Sequence, residues 1–234
     1  VRARRLLVRA VTDQAAAMEL SRFFAPDIAK TIVNAEQAIQ PGEGVLREAA
    51  AMFLDLRGFT NLASTLEPRA LVALLAEYQS QVVPLVQRHR GAITTYLGDG
   101  IMITFGATKP NDSYAADALR AAEELIQVLA DWAETRRARN LAGPGIGIGV
   151  TVGTVIYGAI GDQARLEYAI IGDPVNRAAK LQNHTKIEGC PAVVSAEAWK
   201  LAQEQGFVPT RRHDRCDRRD VQGIAETMDL WAIR

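Results

Sequence analysis

Hydrophobic positions along this chain change spacing at one place above all others. The run from Ala49 to Leu54 is continuously apolar and reads as a buried strand. It ends on a carboxylate, Asp55, and turns through Arg57 and Gly58 into Phe59 and Thr60. A spacing of three and four then takes over at Leu62, Leu66, Leu71, Leu74, Leu75, Tyr78, Val82 and Val83. Glu67-Pro68-Arg69 interrupts it and starts a second helix, which Pro84 is expected to kink. Two β-rich runs, 92–97 and 101–105, flank Gly98-Asp99-Gly100 and predict a hairpin with Asp99 at its tip. A third helix is predicted over 112–137, and residues 146–161 alternate as one strand or two. Next come a short strand, a Gly-Asp-Pro turn and a helix within 168–183, a strand at 191–195 and a helix at 196–205. A basic loop at 210–219 and a last strand at 228–233 complete the pattern.

Ahead of the first strand, Leu6, Leu7, Ala10, Ala17, Met18 and Leu20 predict a helix. Ile28, Ile32 and Val33 predict a shorter one after Pro26. Residues 1–44 read as a helical linker that joins an upstream module, and 45–234 as the main domain. Strands alternating with helices, with one hairpin among them, argue for a mixed sheet covered by helices, in the α/β or α+β class.

Composition narrows this little. With 234 residues, 48% hydrophobic and 23% charged, there is ample material for a core. Lys+Arg and Asp+Glu each total 27, so no basic excess points to a nucleic-acid partner. Cys190 and Cys216 make neither a disulfide framework nor a metal-ligand spacing, and a reducing, cytoplasmic setting is expected. No apolar run reaches the length of a membrane span and no secretory signal opens the chain. A start at Val1 reads as a piece of a longer protein, which is free to be membrane-anchored elsewhere.

The chemistry centres on Asp55 and Asp99, each presented at the end of a predicted strand. Two carboxylates brought within about 4 Å repel by roughly 4 kcal/mol at an effective dielectric near 20. A divalent cation removes that conflict, and oxygen donors of this kind suit Mg²⁺. Taken singly, Asp55 reads as well as a helix cap and Asp99 as a turn residue. Together, with Val-Asn-Arg-Ala-Ala-Lys-Leu at 175–181 downstream, they read as a site.

In that order and at that spacing, the segments 53–60, 96–106 and 166–181 resemble the catalytic domain of class III nucleotidyl cyclases, bacterial type. Residues 21–26 are similar to the stretch that precedes it. The resemblance implies a ferredoxin-like palm working as a head-to-tail homodimer downstream of a sensor or regulatory domain. It implies attack of a nucleoside triphosphate's 3′-hydroxyl on its own α-phosphate, with two Mg²⁺ (or Mn²⁺) per active site. Asp55 and Asp99 match the family's metal-binding aspartates, with the carbonyl of Leu56 as a further ligand. The turn Arg57-Gly58-Phe59-Thr60 is expected to offer N–H groups to the phosphates; the Phe59 ring is expected to pack inward. Asn176 matches the residue that orients the ribose. Four residues on, where the family has an arginine, this chain has Lys180, which supplies charge without a bidentate fork.

Two departures fall on base recognition. Thr95 stands where the family has its base-reading lysine, or a glutamate in guanylyl cyclases, and Ala169 stands where its partner belongs. Gln222 occupies the place of a phosphate-binding lysine. The first reading is an adenylyl cyclase making 3′,5′-cyclic AMP from ATP. Alternatives are a guanylyl cyclase, or a degenerate domain that binds nucleotide or only dimerises. The Gly-rich stretch 143–149 lacks the setting of a dinucleotide site. His89, His184 and His213 show no Cys or carboxylate partners at metal spacing, and Trp132, Trp199 and Trp231 read as core.

Overall fold

The computed structural model describes residues 42–162 and 166–234. The linker expected over 1–44 therefore lies almost wholly outside the described residues. Residues 44–158 with 169–234 form one compact unit. The short stretches 42–43, 159–162 and 166–168 group apart from it. In that second group, Gly42 N–H donates to Ala159 O at 2.9 Å and Ala159 N–H donates to Glu43 O at 2.9 Å.

The elements run β1 (Gly44–Leu56), α1 (Phe59–Thr65), α2 (Pro68–Arg88), β2 (Gly91–Leu97), β3 (Gly100–Phe105), α3 (Tyr114–Ala138) and β4 (Ile146–Gly161). After them come β5 (Leu166–Ile171), α4 (Asp173–Glu188), β6 (Ala192–Ser195), α5 (Ala196–Glu204), β7 (His213–Arg219) and β8 (Met228–Ile233). Among the described residues the sheet is ordered β2-β3-β1-β4-β6-β8-β7, with β5 pairing only to β4. Its half β4-β1-β3-β2 is antiparallel throughout. With the α2 and α3 crossovers this is the ferredoxin-like palm, extended by one parallel pairing, β4 to β6, and an antiparallel edge. The mixed-sheet α+β expectation holds.

Alternation along β1 sorts its side chains between the two faces. Ala50, Met52, Leu54 and Leu56 enter the main core with Leu74, Tyr78 and Val82 of α2 and Leu119, Leu125 and Leu129 of α3. Ala49 and Phe53 face the other way, into a smaller cluster with Met102, Val155 and Ile170. Helix α4 lies on that second face, and the glycines of 143–149 explain how. A Cβ on Gly149 would stand 2.1 Å from Ala178 O and 2.3 Å from Gln182 N. One on Gly147 would stand 2.7 Å from Gln182 Nε2 and 2.9 Å from Thr185 Oγ1. Glycines two apart on one strand face let a helix backbone rest directly on β4.

One expected element is corrected. The basic stretch at 210–219 is not a loop, for His213–Arg219 forms β7 and pairs with β8. As an edge strand with only Cys216 buried, it shows none of the alternation that marks a half-buried strand. The tryptophans do join the core: Trp132 and Trp199 are buried, and Trp231 stacks on Trp199 at 4.5 Å.

Each histidine meets a glutamate, and only His184 and Glu188, four apart on α4, have a sequence spacing that could have shown it. His89 lies 2.6 Å from Glu124, His184 3.1 Å from Glu188 and His213 2.8 Å from Glu123. Among the described residues, no group of three or more His, Cys, Asp or Glu is arranged to hold a metal. Glu123 is a packing anchor, accepting from Thr210 N and Oγ1, Arg211 N and His213 Nε2. Burial alone would raise its pKa, but those donors hold it below the usual carboxylate range. Burial pushes His213 below its ordinary value, partly offset by Glu123 and Asp214. Both shifts act in the same direction. An acid with a depressed pKa loses its contribution as pH falls through the folded value. A histidine kept neutral by burial favours the unfolded chain once that chain takes up protons, below pH about 6.5. The stability these two groups contribute should therefore shrink as pH falls from 7 towards 4, read as a narrowing gap in melting temperature between wild type and Glu123→Ala. Glu123→Ala should cost roughly 3 kcal/mol at pH 7 and flatten the acid limb, as a pH series of thermal melts would show.

Candidate active site

Strand β1 runs buried to Leu56 and there meets the tip of the β2-β3 hairpin. Register fixes the meeting, since Leu54 pairs with Ile101 and Leu97 with Gly100, which leaves Gly98 and Asp99 to make the turn. Gly98 sits at φ +67°, in the left-handed region that favours glycine. Asp99 then swings back over the end of β1, where its Oδ2 accepts the Leu56 N–H at 3.2 Å. The two carboxyl groups are in hydrogen-bonding contact. Burial, then the hydrogen bond and like charge of Asp99, push the Asp55 pKa up to about 7; the Leu56 N–H and Lys186 oppose the shift. Asp55, Leu56 and Asp99 thus come together as one acidic corner, while the Leu56 side chain is buried in the main core.

Behind the corner stands Tyr78 of α2, fully buried, its hydroxyl without a hydrogen-bond partner. Burial raises its pKa, and the charges of Asp55, Asp99 and Tyr96 add to the rise. Sequence spacing marked Tyr78 only as core. Removing an unpaired buried hydroxyl should cost nothing, so Tyr78→Phe should leave stability unchanged or raise it by about 1 kcal/mol. A chemical denaturation curve would decide; a loss above about 1 kcal/mol would mean the hydroxyl is satisfied.

The turn after Asp55 divides in two. Arg57, expected with its neighbours to face phosphate, is committed elsewhere. Its N–H donates to Gly145 O at 2.8 Å, and its Nη2 to Cys190 O at 2.6 Å and Thr185 O at 3.3 Å. No acceptor among the described residues takes the N–H groups of Gly58, Phe59 or Thr60 at the start of α1. Gly58 reaches that position at φ +74°. The Phe59 ring packs against the main core.

The remaining expected site residues lie on α4, β2 and β5. Asn176 is exposed near the start of α4. Lys180, one turn further along, donates from Nζ to Gly223 O, in the segment that carries Gln222. Thr95 is half-buried on β2 opposite Met102, after a bulge that follows Ile93. Ala169 is half-buried on β5 beside Ile170. Thr95 is thus paired with the apolar Met102, and the Ala169 side chain offers no hydrogen-bonding group. Within one chain the acids lie nearer the C-terminal end of α4 than its start. Lys186 acts on Asp55 and Thr185 touches Arg57, whereas Asn176 lies nine residues back, about 13 Å along the helix.

Comparison with known proteins bears on the fold and the family. The model of the adenylate and guanylate cyclase catalytic domain matches residues 45–233. An adenylate cyclase of Anabaena cylindrica is 30% identical over 67% of this chain and 31% of its own length. The chain spans 22% to 31% of the length of the curated relatives compared with it. Among solved structures, the guanylyl cyclase Cya2 superposes with TM-score 0.71 at 24% identity, covering 81% of this chain and 93% of its own. The adenylyl cyclase CyaB from P. aeruginosa also gives 0.71, at 23% identity, over 82% and 96%. One fold thus serves both substrates, and similarity at this level speaks for the fold alone. With the model spanning nearly the whole described unit, this chain belongs to the adenylate and guanylate cyclase catalytic domain family.

Proposed function

We propose that the domain converts ATP to 3′,5′-cyclic AMP and pyrophosphate as a homodimer, with Asp55, Asp99 and the Leu56 carbonyl holding two Mg²⁺ (or Mn²⁺) per active site. The observation that carries this reading is the contact between the Asp55 and Asp99 carboxyls at one strand end. Their donors are all oxygen, and the repulsion that raises Asp55 is what a hard divalent cation relieves, so the residues fit the ion. When bound, such ions lower the cost of ionising the 3′-hydroxyl and of charge on the departing pyrophosphate.

The chain's own groups would do the rest. The N–H groups of Gly58, Phe59 and Thr60 face the phosphates, Asn176 orients the ribose, and Lys180 places charge at the α-phosphate. The distance along α4 between Thr185 and Asn176 supports the dimer, because the acids need an Asn176 from a second copy. Thr95 and Ala169 offer the purine few polar contacts, so discrimination between bases should be shallow. The preference for ATP draws on relatives named adenylate cyclase at about a third identity or less. The contact from Lys180 to Gly223 favours, as a second reading, a domain of weak activity whose α-phosphate cation is held aside.

The test is product formation by purified protein from ATP and from GTP, with Mg²⁺ and with Mn²⁺. More cyclic AMP than cyclic GMP is expected. An excess of cyclic GMP would replace the substrate, and no product under any of the four conditions would establish the second reading.

A further inference from the structure

We infer that Arg57 is a positioning residue that ties the acid-bearing end of β1 to helix α4 and thereby links the two active sites of a dimer. The inference rests on the dimeric cyclase reading, in which one protomer's acids and the same protomer's Asn176 serve different sites.

Every contact of Arg57 points inward. Its N–H is taken by Gly145 O, and its Cδ would lie 3.7 Å from a Cβ on Gly145. Nη2 spans Cys190 O and Thr185 O, and Nε is buried without a partner. A guanidinium so engaged is not available to phosphate. Thr185 belongs to the last turn of α4, at the negative end of the helix dipole, and its carbonyl also accepts the N–H groups of Gly189 and Cys190, so Arg57 adds a charged donor to the backbone cap. Arg57 is therefore a side-chain cap on α4 supplied by the residue two positions after Asp55.

The helix it grips is stiff and closely seated. Gly147 and Gly149 bring α4 backbone onto β4, and Gly147 is also the cross-strand partner of Asp55. A shift of the Asp55–Arg57 turn is passed to Thr185 by hydrogen bonds and to Gln182 by packing. From Thr185 the helix runs five residues back to Lys180 and nine to Asn176, about 8 and 13 Å. Rearrangement of the acids when one site is loaded thus moves the ribose- and phosphate-facing residues of the other. Both carbonyls are taken by the one nitrogen Nη2 at the far end of the arginine; a lysine ammonium carries donors and charge but sits on a shorter stem, so Arg57→Lys should hold the helix only in part.

Two measurements test this. The first needs no activity: Cys190 is buried and its carbonyl is held by Arg57, whereas Cys216 shares that buried cluster but is carried by β7, which is anchored to β8 and takes no hydrogen bond from Arg57. Site-resolved thiol alkylation of native protein should be at least about tenfold faster at Cys190 in Arg57→Ala, intermediate in Arg57→Lys, and unchanged at Cys216. Equal acceleration at both thiols, or none at Cys190 in either variant, overturns the tether.

The second uses a heterodimer of an Asp55→Asn/Asp99→Asn protomer with an Asn176→Ala partner, which leaves one intact site. Arg57→Ala is then placed in the acid-deficient protomer, which gives that site only its helix. A fall in kcat of about tenfold with KM within about twofold is expected, with partial recovery in Arg57→Lys. Unchanged kcat overturns the linkage. A parent heterodimer without activity refutes the shared site, and the linkage with it, while alkylation still decides whether Arg57 holds α4.

Discussion

Asp55→Asn should abolish cyclase activity and, at pH 8 without divalent metal, make the protein more stable than wild type. The two effects have one cause. In the folded chain Asp55 has a pKa of about 7 against an ordinary 3.8, because it is half-buried against Asp99. Between those values the native state keeps a proton that the unfolded chain releases. Raising the pH through this window therefore favours unfolding, and the penalty is fully present above pH about 7. Asparagine keeps the shape and removes the charge. After allowance for solvent screening the gain is roughly 1–2 kcal/mol, or about 2–8 °C in melting temperature. At pH 5, still inside this window, the gain should shrink to less than half, and it should vanish only below pH about 3.8. Adding Mg²⁺ or Mn²⁺ at pH 8 should raise the wild-type melting temperature and leave the variant nearly unmoved. Turnover should fall more than about 100-fold, beyond the usual effect of a group that only supports a metal ligand. Thermal melts at the two pH values and a cyclic-nucleotide assay measure all of this. A variant less stable than wild type at pH 8 would show that the acids do not oppose one another.

Gly149→Ala should be the most damaging small substitution on the sheet. Its Cβ would sit 2.1 Å from Ala178 O and 2.3 Å from Gln182 N, both backbone atoms of α4 that cannot turn aside. Helix and strand must separate, at a cost of about 3 kcal/mol or more, and melting should drop by about 6–12 °C. The displaced helix carries Asn176 and Lys180, so kcat should fall up to about 100-fold even in protein that remains folded. Gly147→Ala is the comparison. There the added methyl meets Gln182 Nε2 and Thr185 Oγ1, side-chain ends that can shift, and roughly 1 kcal/mol is expected. Equal losses at the two positions would remove the argument that α4 is seated backbone-to-strand.

The elements of the palm were legible in the sequence wherever one face is buried and the other is not. The continuous run ending at Leu54, the three-and-four spacing of α2 and α3, and the Gly98-Asp99-Gly100 turn each betray their surroundings in one dimension. β7 was illegible because an edge strand lined with Arg and Asp has no buried face to impose alternation. The pair Gly147 and Gly149 could have been read as a close approach, being two glycines on one face of a strand. Nothing in the sequence said which helix they receive. Arg57 was read as one of a phosphate-facing set because its place in the turn was visible and its acceptors, 128 and 133 residues away, were not.

By itself, then, the sequence determined the order of strands and helices apart from β7, the family, and the residue types at each site position, because these depend on local spacing and side-chain chemistry. Only the tertiary structure decided that Asp55 and Asp99 touch, that Arg57 caps α4 and that Lys180 is held at Gly223. Such contacts join parts of the chain far apart in sequence, and their energies depend on distance and burial that no residue carries alone.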